Sequence, residues 1–413
     1  MVAAPCMNKL LFSFLFVVVA GAVFAKSPPV PSLAPEVERT VNSLIDEGKL
    51  AGAVVLVAKG GELLHLGAFG ERKLGSGQKM TEDTVFRIHS MTKAIVSAAA
   101  LQLLEQGKYE LDDPVAKYLP EFAGIKVLNA DGEKVPANEI MTVEDLFRHT
   151  AGLAYGFTAP PQLVDAYSGP PLWGGTSEKF CEELAKIPLV HEPGKSWRYG
   201  VNTDVLGRLV EVWSGQSLDV YLQENFFAPL KMKDTAFWIR NDEIAERFVT
   251  VHQSGKDGVK PGSDPLGKEY RDKPKMMSGG GGLVSTASDY YQFLQMIADG
   301  GTRFGRQFLQ PETVGLMTSN QLPDMVPQIF FGKEQRTAVG FGLGFSVVTG
   351  PSTGWDEAAP LHEYGWGGAA SCHYWVSPED DNLIVITLEQ TVPYNWNMER
   401  ALKPVIYKAV RGE

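Results

Sequence analysis

A serine and a lysine three residues apart head the stretch best equipped for chemistry, Phe86-Arg-Ile-His-Ser-Met-Thr-Lys93, which runs on into Ala94-Ile-Val-Ser-Ala-Ala-Ala-Leu. Val85, Phe86 and Ile88 read as a short strand, and the Ala- and Leu-rich run after Lys93 reads as a helix. Ser90 then falls at the first turn of that helix, with Lys93 on the same face. A serine hydroxyl is a poor nucleophile until a neighbour takes its proton, and a buried lysine can hold or shuttle that proton. The helix N-terminus adds backbone N–H groups and a positive dipole end beside the developing charge. A second copy of the spacing, Ser76-Gly-Gln-Lys79, lies in a glycine-containing loop where nothing fixes the two side chains on one face. Helical context selects Ser90.

Such a pair needs another group to carry a proton to the leaving atom. A tyrosine beside a lysine can do this, because a neighbouring cation favours the phenolate. Tyr199 is the candidate, in Pro193-Gly-Lys-Ser-Trp-Arg-Tyr-Gly-Val-Asn-Thr-Asp-Val-Leu-Gly207, just ahead of a helix; composition alone would make it an ordinary half-buried aromatic. Other constellations fit less well. Gly350-Pro-Ser-Thr-Gly354 matches Gly-x-Ser-x-Gly, but that elbow needs a strand before it and a helix after it. Trp355-Asp-Glu-Ala-Ala-Pro follows instead, so Ser352 reads as part of a loop between strands. His191-Glu192 and His362-Glu363 lack a second histidine four residues on, which removes the zinc-protease pattern. His149 reads as a loop-bracing residue rather than a base. The glycine run 279–282 has no following Gly-Lys-Ser/Thr, so it reads as close backbone packing rather than a phosphate cradle.

At 413 residues and 44% hydrophobic content, the chain can bury a large core as one domain or two subdomains. A net charge of -11 without any basic run argues against a nucleic-acid partner. Asn8-Lys9, the apolar run from Leu10 to Ala22, and Val23-Phe-Ala25 read as an export signal, residues 1–25, cut after Ala25. The apolar run is short for a spanning helix. The expected mature chain, 26–413, is therefore periplasmic or secreted, with no stable membrane insertion after cleavage. Cys181 and Cys372 read as buried free thiols. No metal or organic cofactor is implied.

The elements that must position Ser90 and its neighbours follow from the patterning. Apolar residues at 37, 41, 44 and 45 predict a helix over 35–47, and runs at 53–58 and 62–66 flank Lys59-Gly-Gly61 as a hairpin. Thr142 caps a predicted helix start, and 150–175 is an aperiodic stretch of Gly, Pro, Tyr and Trp that reads as a functional loop. Helices are predicted at 177–187, 203–213, 218–227, 285–297 and 398–410, and strands at 340–348, 371–376 and 383–388. With strands near both ends and helices between, the expected fold is an antiparallel sheet built from both ends (about 30–90 and 280–413). Terminal helices pack on that sheet, and the helical middle, about 91–279, forms a second subdomain with the site in the cleft.

Taken in order, several motifs carry a resemblance: Ser90-Met-Thr-Lys93, Leu146-Phe-Arg-His-Thr-Ala-Gly152, Tyr199 in Pro-Gly-x-x-Trp-x-Tyr, Gly281-Gly-Leu-Val-Ser-Thr-Ala-Ser-Asp289, and Trp366-Gly-Gly368. Over roughly 35–410 the chain resembles the serine β-lactamase-like superfamily, on its class C β-lactamase and family VIII carboxylesterase branch. The resemblance implies the penicillin-recognising α/β fold, an antiparallel sheet flanked by helices plus an all-helical subdomain. It implies Ser90 as the acylated nucleophile, Lys93 and Tyr199 sharing the base and acid roles, and an oxyanion hole from the backbone N–H groups of Ser90 and Ala369. Two departures stand out. The β-lactamases carry Tyr-x-Asn, whereas Tyr199 is followed by Gly200-Val201, with Asn202 one place late. Their third motif is Lys-Thr/Ser-Gly, whereas here it is Trp366-Gly-Gly. Losing the cation and the amide removes charge-assisted contacts to a β-lactam and makes the site more apolar; Trp-Gly-Gly is the form that the esterase branch looks like.

The expectation is an exported serine carboxylesterase acting on small, short-chain acyl esters through an acyl-enzyme. Trp366, Gly367, Gly368, Tyr155, Phe157 and Asn202 form the expected substrate-binding set. A β-lactamase or D-Ala-D-Ala peptidase-type amide hydrolase is the alternative on the same fold. A catalytically inactive cell-envelope binding protein is a third reading, against which the presence of Ser90, Lys93 and Tyr199 together argues.

Overall fold

Alternate residues of strand β1 (Gly52–Lys59) serve two different cores, as a two-residue pleat requires. Val54, Leu56 and Ala58 join the larger cluster, which extends into the helical half; Ala53, Val55 and Val57 pack with the terminal helices. Both faces of the strand are thus covered, which is why it reads as a continuous apolar run. Gly60 and Gly61, both at positive φ, close a two-residue hairpin from Lys59 to Glu62. The computed structural model describes Met1 and residues 33–264, 267, 270–331, 334–351 and 354–413; residues 2–25 of the predicted export signal and Ser352 lie outside the described residues.

After β1 come β2 (Glu62–Lys73), β3 (Gln78–Lys79), β4 (Val339–Phe341), β5 (Ser346–Val348), β6 (Tyr364–Gly368), β7 (Cys372–Ser377) and β8 (Leu383–Leu388). These form one sheet in the order β4-β5-β6-β7-β8-β1-β2-β3, antiparallel throughout. The two ends of the chain meet where β1 pairs with β8, Val54 opposite Leu388 through Ala58 opposite Ile384. Helix α1 (Leu33–Asp46) buries Leu33, Val37, Val41 and Leu44. That single stripe at helical spacing covers one face of the sheet.

The opposite face carries helix α2 (Thr92–Glu105), which is buried around its circumference from Thr92 to Leu103. A helix apolar on all sides belongs in the middle of a structure, and this one holds Ser90 at its mouth. Beyond it lie α3 (Val143–Phe147), capped reciprocally by Thr142 and Asp145, and α4 (Asn202–Ser214), which packs against α2. Helix α5 (Ala287–Ala298), capped by Thr286, returns the chain to the sheet. The terminal helix α6 (Asn397–Arg411) lies beside α1.

Two readings of the sequence are corrected. Residues 340–348 are two strands, β4 and β5, joined at 342–345. A Cβ on Gly342 would collide with the Met317 carbonyl, and Gly344 sits at φ +125°. The aperiodic stretch 150–175 carries two short helices, Val164–Ser168 and Pro170–Trp173, where proline at the first turn starts a helix that composition alone conceals. Cys181 and Cys372 are both free and buried. Among the described residues no helix is long and apolar enough to cross a membrane.

Candidate active site

The residues before Ser90 are pinned from both sides. Phe86 and Arg87 pair with Ser285 and Val284, and the Ile88 N–H donates to the Leu283 carbonyl at 3.1 Å. The chain then reverses at His89, whose φ of 44° is unusual for a residue with a Cβ and costs about 1–2 kcal/mol. That turn puts Ser90 in a short 3₁₀ segment, His89–Met91, directly ahead of α2. The Tyr290 hydroxyl holds the Met91 carbonyl at 2.9 Å, and the Leu283 N–H donates to Thr92 Oγ1 at 3.1 Å. The strain is thus fixed by contacts from distant elements.

Lys93 is 3% exposed, so its three donors must find partners inside the protein. They do: Ser90 Oγ at 3.3 Å, the Tyr155 hydroxyl at 3.0 Å and the Gly280 carbonyl at 2.5 Å. Gly280 is itself held from behind, its N–H donating to Asp204 Oδ1 at 3.0 Å, where Ser278 Oγ also donates at 2.6 Å. Asp204 Oδ2 lies 3.4 Å from the Tyr155 hydroxyl. Burial and the Asp204 charge push the Tyr155 phenol well above its ordinary range, so Tyr155 keeps its proton. The glycine run is therefore close backbone packing with a purpose, since a Cβ on Gly280 would strike Asp204 and Tyr155.

Tyr199 lies on the loop ahead of α4, its ring centroid 4.8 Å from Lys93 Nζ and its hydroxyl accepting from Trp366 Nε1 at 3.2 Å. Glycine follows it because a Cβ at position 200 would meet the Leu153 carbonyl. On the other wall, β6 brings Trp366, Gly367 and Gly368 to the site, and Ala369 stands in the turn into β7. A Cβ on Gly368 would collide with the Ile88 carbonyl, so this glycine lets β6 close on the backbone just before Ser90. That approach brings the Ser90 and Ala369 backbones to one opening.

Ser90, Tyr155, Phe157, Tyr199, Trp366, Gly367, Gly368 and Ala369 all line a single cavity of about 1120 Å³. Phe157 is 75% exposed and stacks on Tyr155 at 5.4 Å between ring centroids, at the rim. Asn202, expected to touch substrate, does not reach the cavity. It is fully buried, and its amide meets His149 Nδ1 at 2.8 Å. One residue of displacement from Tyr199 moved it into the first turn of α4, facing the core. His149 is buried among Trp197, Tyr199 and Phe341, and burial with the nearby Lys93 charge holds its imidazole well below its ordinary range. It braces the loop as a neutral ring.

Tyr155's hold on Lys93, and the Asp204–Gly280 pair behind it, are contacts the sequence analysis does not contain. Asp204 sits in the quoted stretch after Tyr199 and looks like a helix-start carboxylate, and the glycine run carries no chemical label. Only the folded chain brings them together around Lys93.

The Beta-lactamase family model matches residues 37–403. Esterase EstB of Burkholderia gladioli is 31% identical over 87% of this chain and 91% of its own. The lovastatin esterase of Penicillium rubens is 28% identical over 89% and 95%. Among solved structures, EstCE1, described as a hydrolase with promiscuous acyltransferase activity, superposes with a TM-score of 0.75 at 26% identity, covering 92% of this chain and 99% of that one.

Proposed function

The chain belongs to the beta-lactamase family, and from that footing we propose that it is a serine esterase cleaving small acyl esters through an acyl-enzyme on Ser90. One observation carries the reading: Ser90 Oγ faces the cavity 3.3 Å from an ammonium whose other two partners, Tyr155 and the Gly280 carbonyl, fix its place. Ser90 Oγ attacks the ester carbonyl carbon, and its proton passes to the unprotonated member of the Lys93–Tyr199 pair. The oxyanion collects on the N–H groups of Ser90 and Ala369. The proton then goes to the leaving alkoxide, and water enters to release the acid and regenerate Ser90. Tyr155 stays protonated, so its part is to hold Lys93 in place.

The apolar third motif supports esters over β-lactams. Trp366 spends its one polar hydrogen on Tyr199 and offers no cation to a β-lactam carboxylate at that position. EstB and the lovastatin esterase are esterases by name, and the hydrolase EstCE1 also transfers acyl groups. Transfer to an added alcohol is therefore worth measuring as a product ratio.

The test is kcat/KM for a short-chain nitrophenyl ester and for a chromogenic cephalosporin, with Ser90→Ala as control. We expect the ester to be preferred by several orders of magnitude, with turnover lost in the variant. A preference for the cephalosporin would replace this reading with the amide-hydrolase one. Residues 8–25 further support export of the mature chain, which N-terminal sequencing of protein from a periplasmic fraction would check.

A further inference from the structure

The cavity extends well beyond Ser90, along Trp366 to a wall built from Arg336, Trp355, Trp396, Glu399 and Lys403. Arg336 is 6% exposed, held by its backbone: its N–H donates to the Ile329 carbonyl at 3.2 Å, and its own carbonyl accepts from Val339 at 3.1 Å. The guanidinium lies against four aromatic rings, 4.2 Å from the centroid of Trp355, 4.4 Å from Phe331, 5.0 Å from Trp396 and 5.6 Å from Trp366. Its ion pair among the described residues is with Glu334, which Nε reaches at 3.4 Å. The two Nη atoms make no hydrogen bond to any described residue.

The acidic groups nearby are engaged elsewhere. Glu399 meets Lys403 at 3.0 Å and His373 at 3.7 Å, Glu363 meets Lys403 at 2.8 Å, and Asp356 also pairs with Lys403. Burial opposes the Lys403 charge, but Glu363, Glu399 and Asp356 outweigh it and hold its ammonium well above its ordinary range. Of the two cations on this wall, Lys403 is saturated with carboxylates, whereas Arg336 presents a planar fork of unused donors to the cavity. A buried guanidinium keeps its charge and costs free energy until an anion satisfies it. Aromatic faces offset part of that cost but accept no hydrogen bonds from its edge.

We infer that Arg336 is the anchor for a carboxylate on the substrate, so that the preferred esters carry an acid group beside Trp366, away from the scissile bond. Glu334, Glu399 and Tyr394 are the groups that face this guanidinium electrostatically, and burial works against its charge more than they support it. A bidentate carboxylate supplies what is missing. The inference rests on the esterase reading for its substrate, while the anion subsite can be tested apart from it.

Two pairs of esters place the charge at either end: nitrophenyl hemiadipate against nitrophenyl hexanoate, and 3-carboxyphenyl acetate against phenyl acetate. For at least one pair we expect the anionic ester to have the higher kcat/KM by about ten- to 150-fold, the value of a charge-assisted hydrogen bond. Arg336→Gln should bring that ratio near one and Arg336→Lys should keep part of it. A ratio near one in the unmutated enzyme, or a ratio unchanged in Arg336→Gln while both esters slow alike, overturns the inference and makes Arg336 a packing residue. Tryptophan fluorescence gives the second arm, with Ser90→Ala titrated with monomethyl adipate and with methyl hexanoate. Saturable binding of the adipate alone, lost on adding Arg336→Gln, upholds the subsite even if neither ester pair is hydrolysed, an outcome that sinks only the esterase reading. Equal binding of both ligands overturns the subsite.

Discussion

Replacing Tyr155 with phenylalanine removes one oxygen from the shell of Lys93 and, with it, the 3.4 Å contact to Asp204 Oδ2. The ring keeps its stack on Phe157 and its contact with Tyr199, each 5.4 Å between centroids, so the cavity wall is preserved. Lys93 loses the partner at 3.0 Å and keeps Ser90 Oγ at 3.3 Å and the Gly280 carbonyl at 2.5 Å. The ammonium is then free to relax toward the stronger remaining acceptor, Gly280, and away from Ser90. A hydrogen bond to a charged group is worth about 1.5–3 kcal/mol, so full expression in the transition state means a loss of about ten- to 150-fold in kcat/KM. The loss should fall on kcat, because the apolar surface offered to the substrate is unchanged. Steady-state kinetics of Tyr155→Phe on a nitrophenyl ester, from pH 5 to 10, would measure it. A kcat within threefold of the unmutated enzyme, or a change confined to KM, would refute the positioning role and leave Tyr155 as a wall. Loss of an ionisation limb from the pH–rate profile would be a separate refutation. Tyr155 is held protonated by burial and Asp204, so removing its hydroxyl should leave the limbs of the profile in place.

Gly368→Ala places a methyl group against the Ile88 carbonyl and drives β6 away from Ser90. A misplaced oxyanion hole should cost about 10²–10³-fold in kcat, with circular dichroism close to that of the unmutated protein. Glu389 is buried without an ion pair among the described residues, and burial pushes its carboxyl up from 4.5 to about 8. The folded chain then binds a proton that the unfolded chain releases, so this group's contribution to stability declines as pH rises from about 4.5 to about 8 and is level above that. Glu389→Gln should flatten the slope, raising the melting temperature relative to the unmutated protein more at pH 8 than at pH 5. An equal change at both values would mean that Glu389 does not titrate in that window.

Much of the fold was legible because its signals are local. The apolar stripe of α1, the Gly60-Gly61 hairpin and the Thr142 cap each depend on residues a few positions apart. Backbone geometry converts such spacing directly into structure. The loop after Gly152 and the split of 340–348 into β4 and β5 were less legible, since the packing that fixes them lies far off in sequence.

The site divides along the same line. A serine and a lysine three apart at a helix start share one face whatever the rest of the chain does, so the sequence alone determined the Ser90–Lys93 pair. The order of Tyr199 and Trp366-Gly-Gly368 along the chain likewise marked the walls. Which oxygens hold the ammonium was decided only by tertiary structure. Tyr155 lies 62 positions from Lys93 and Gly280 lies 187 positions away, and no period links them. The same packing turned Asn202 toward His149 and faced the Arg336 guanidinium into the cavity. A buried polar group must find a partner in three dimensions, and its neighbours in sequence do not say where that partner stands.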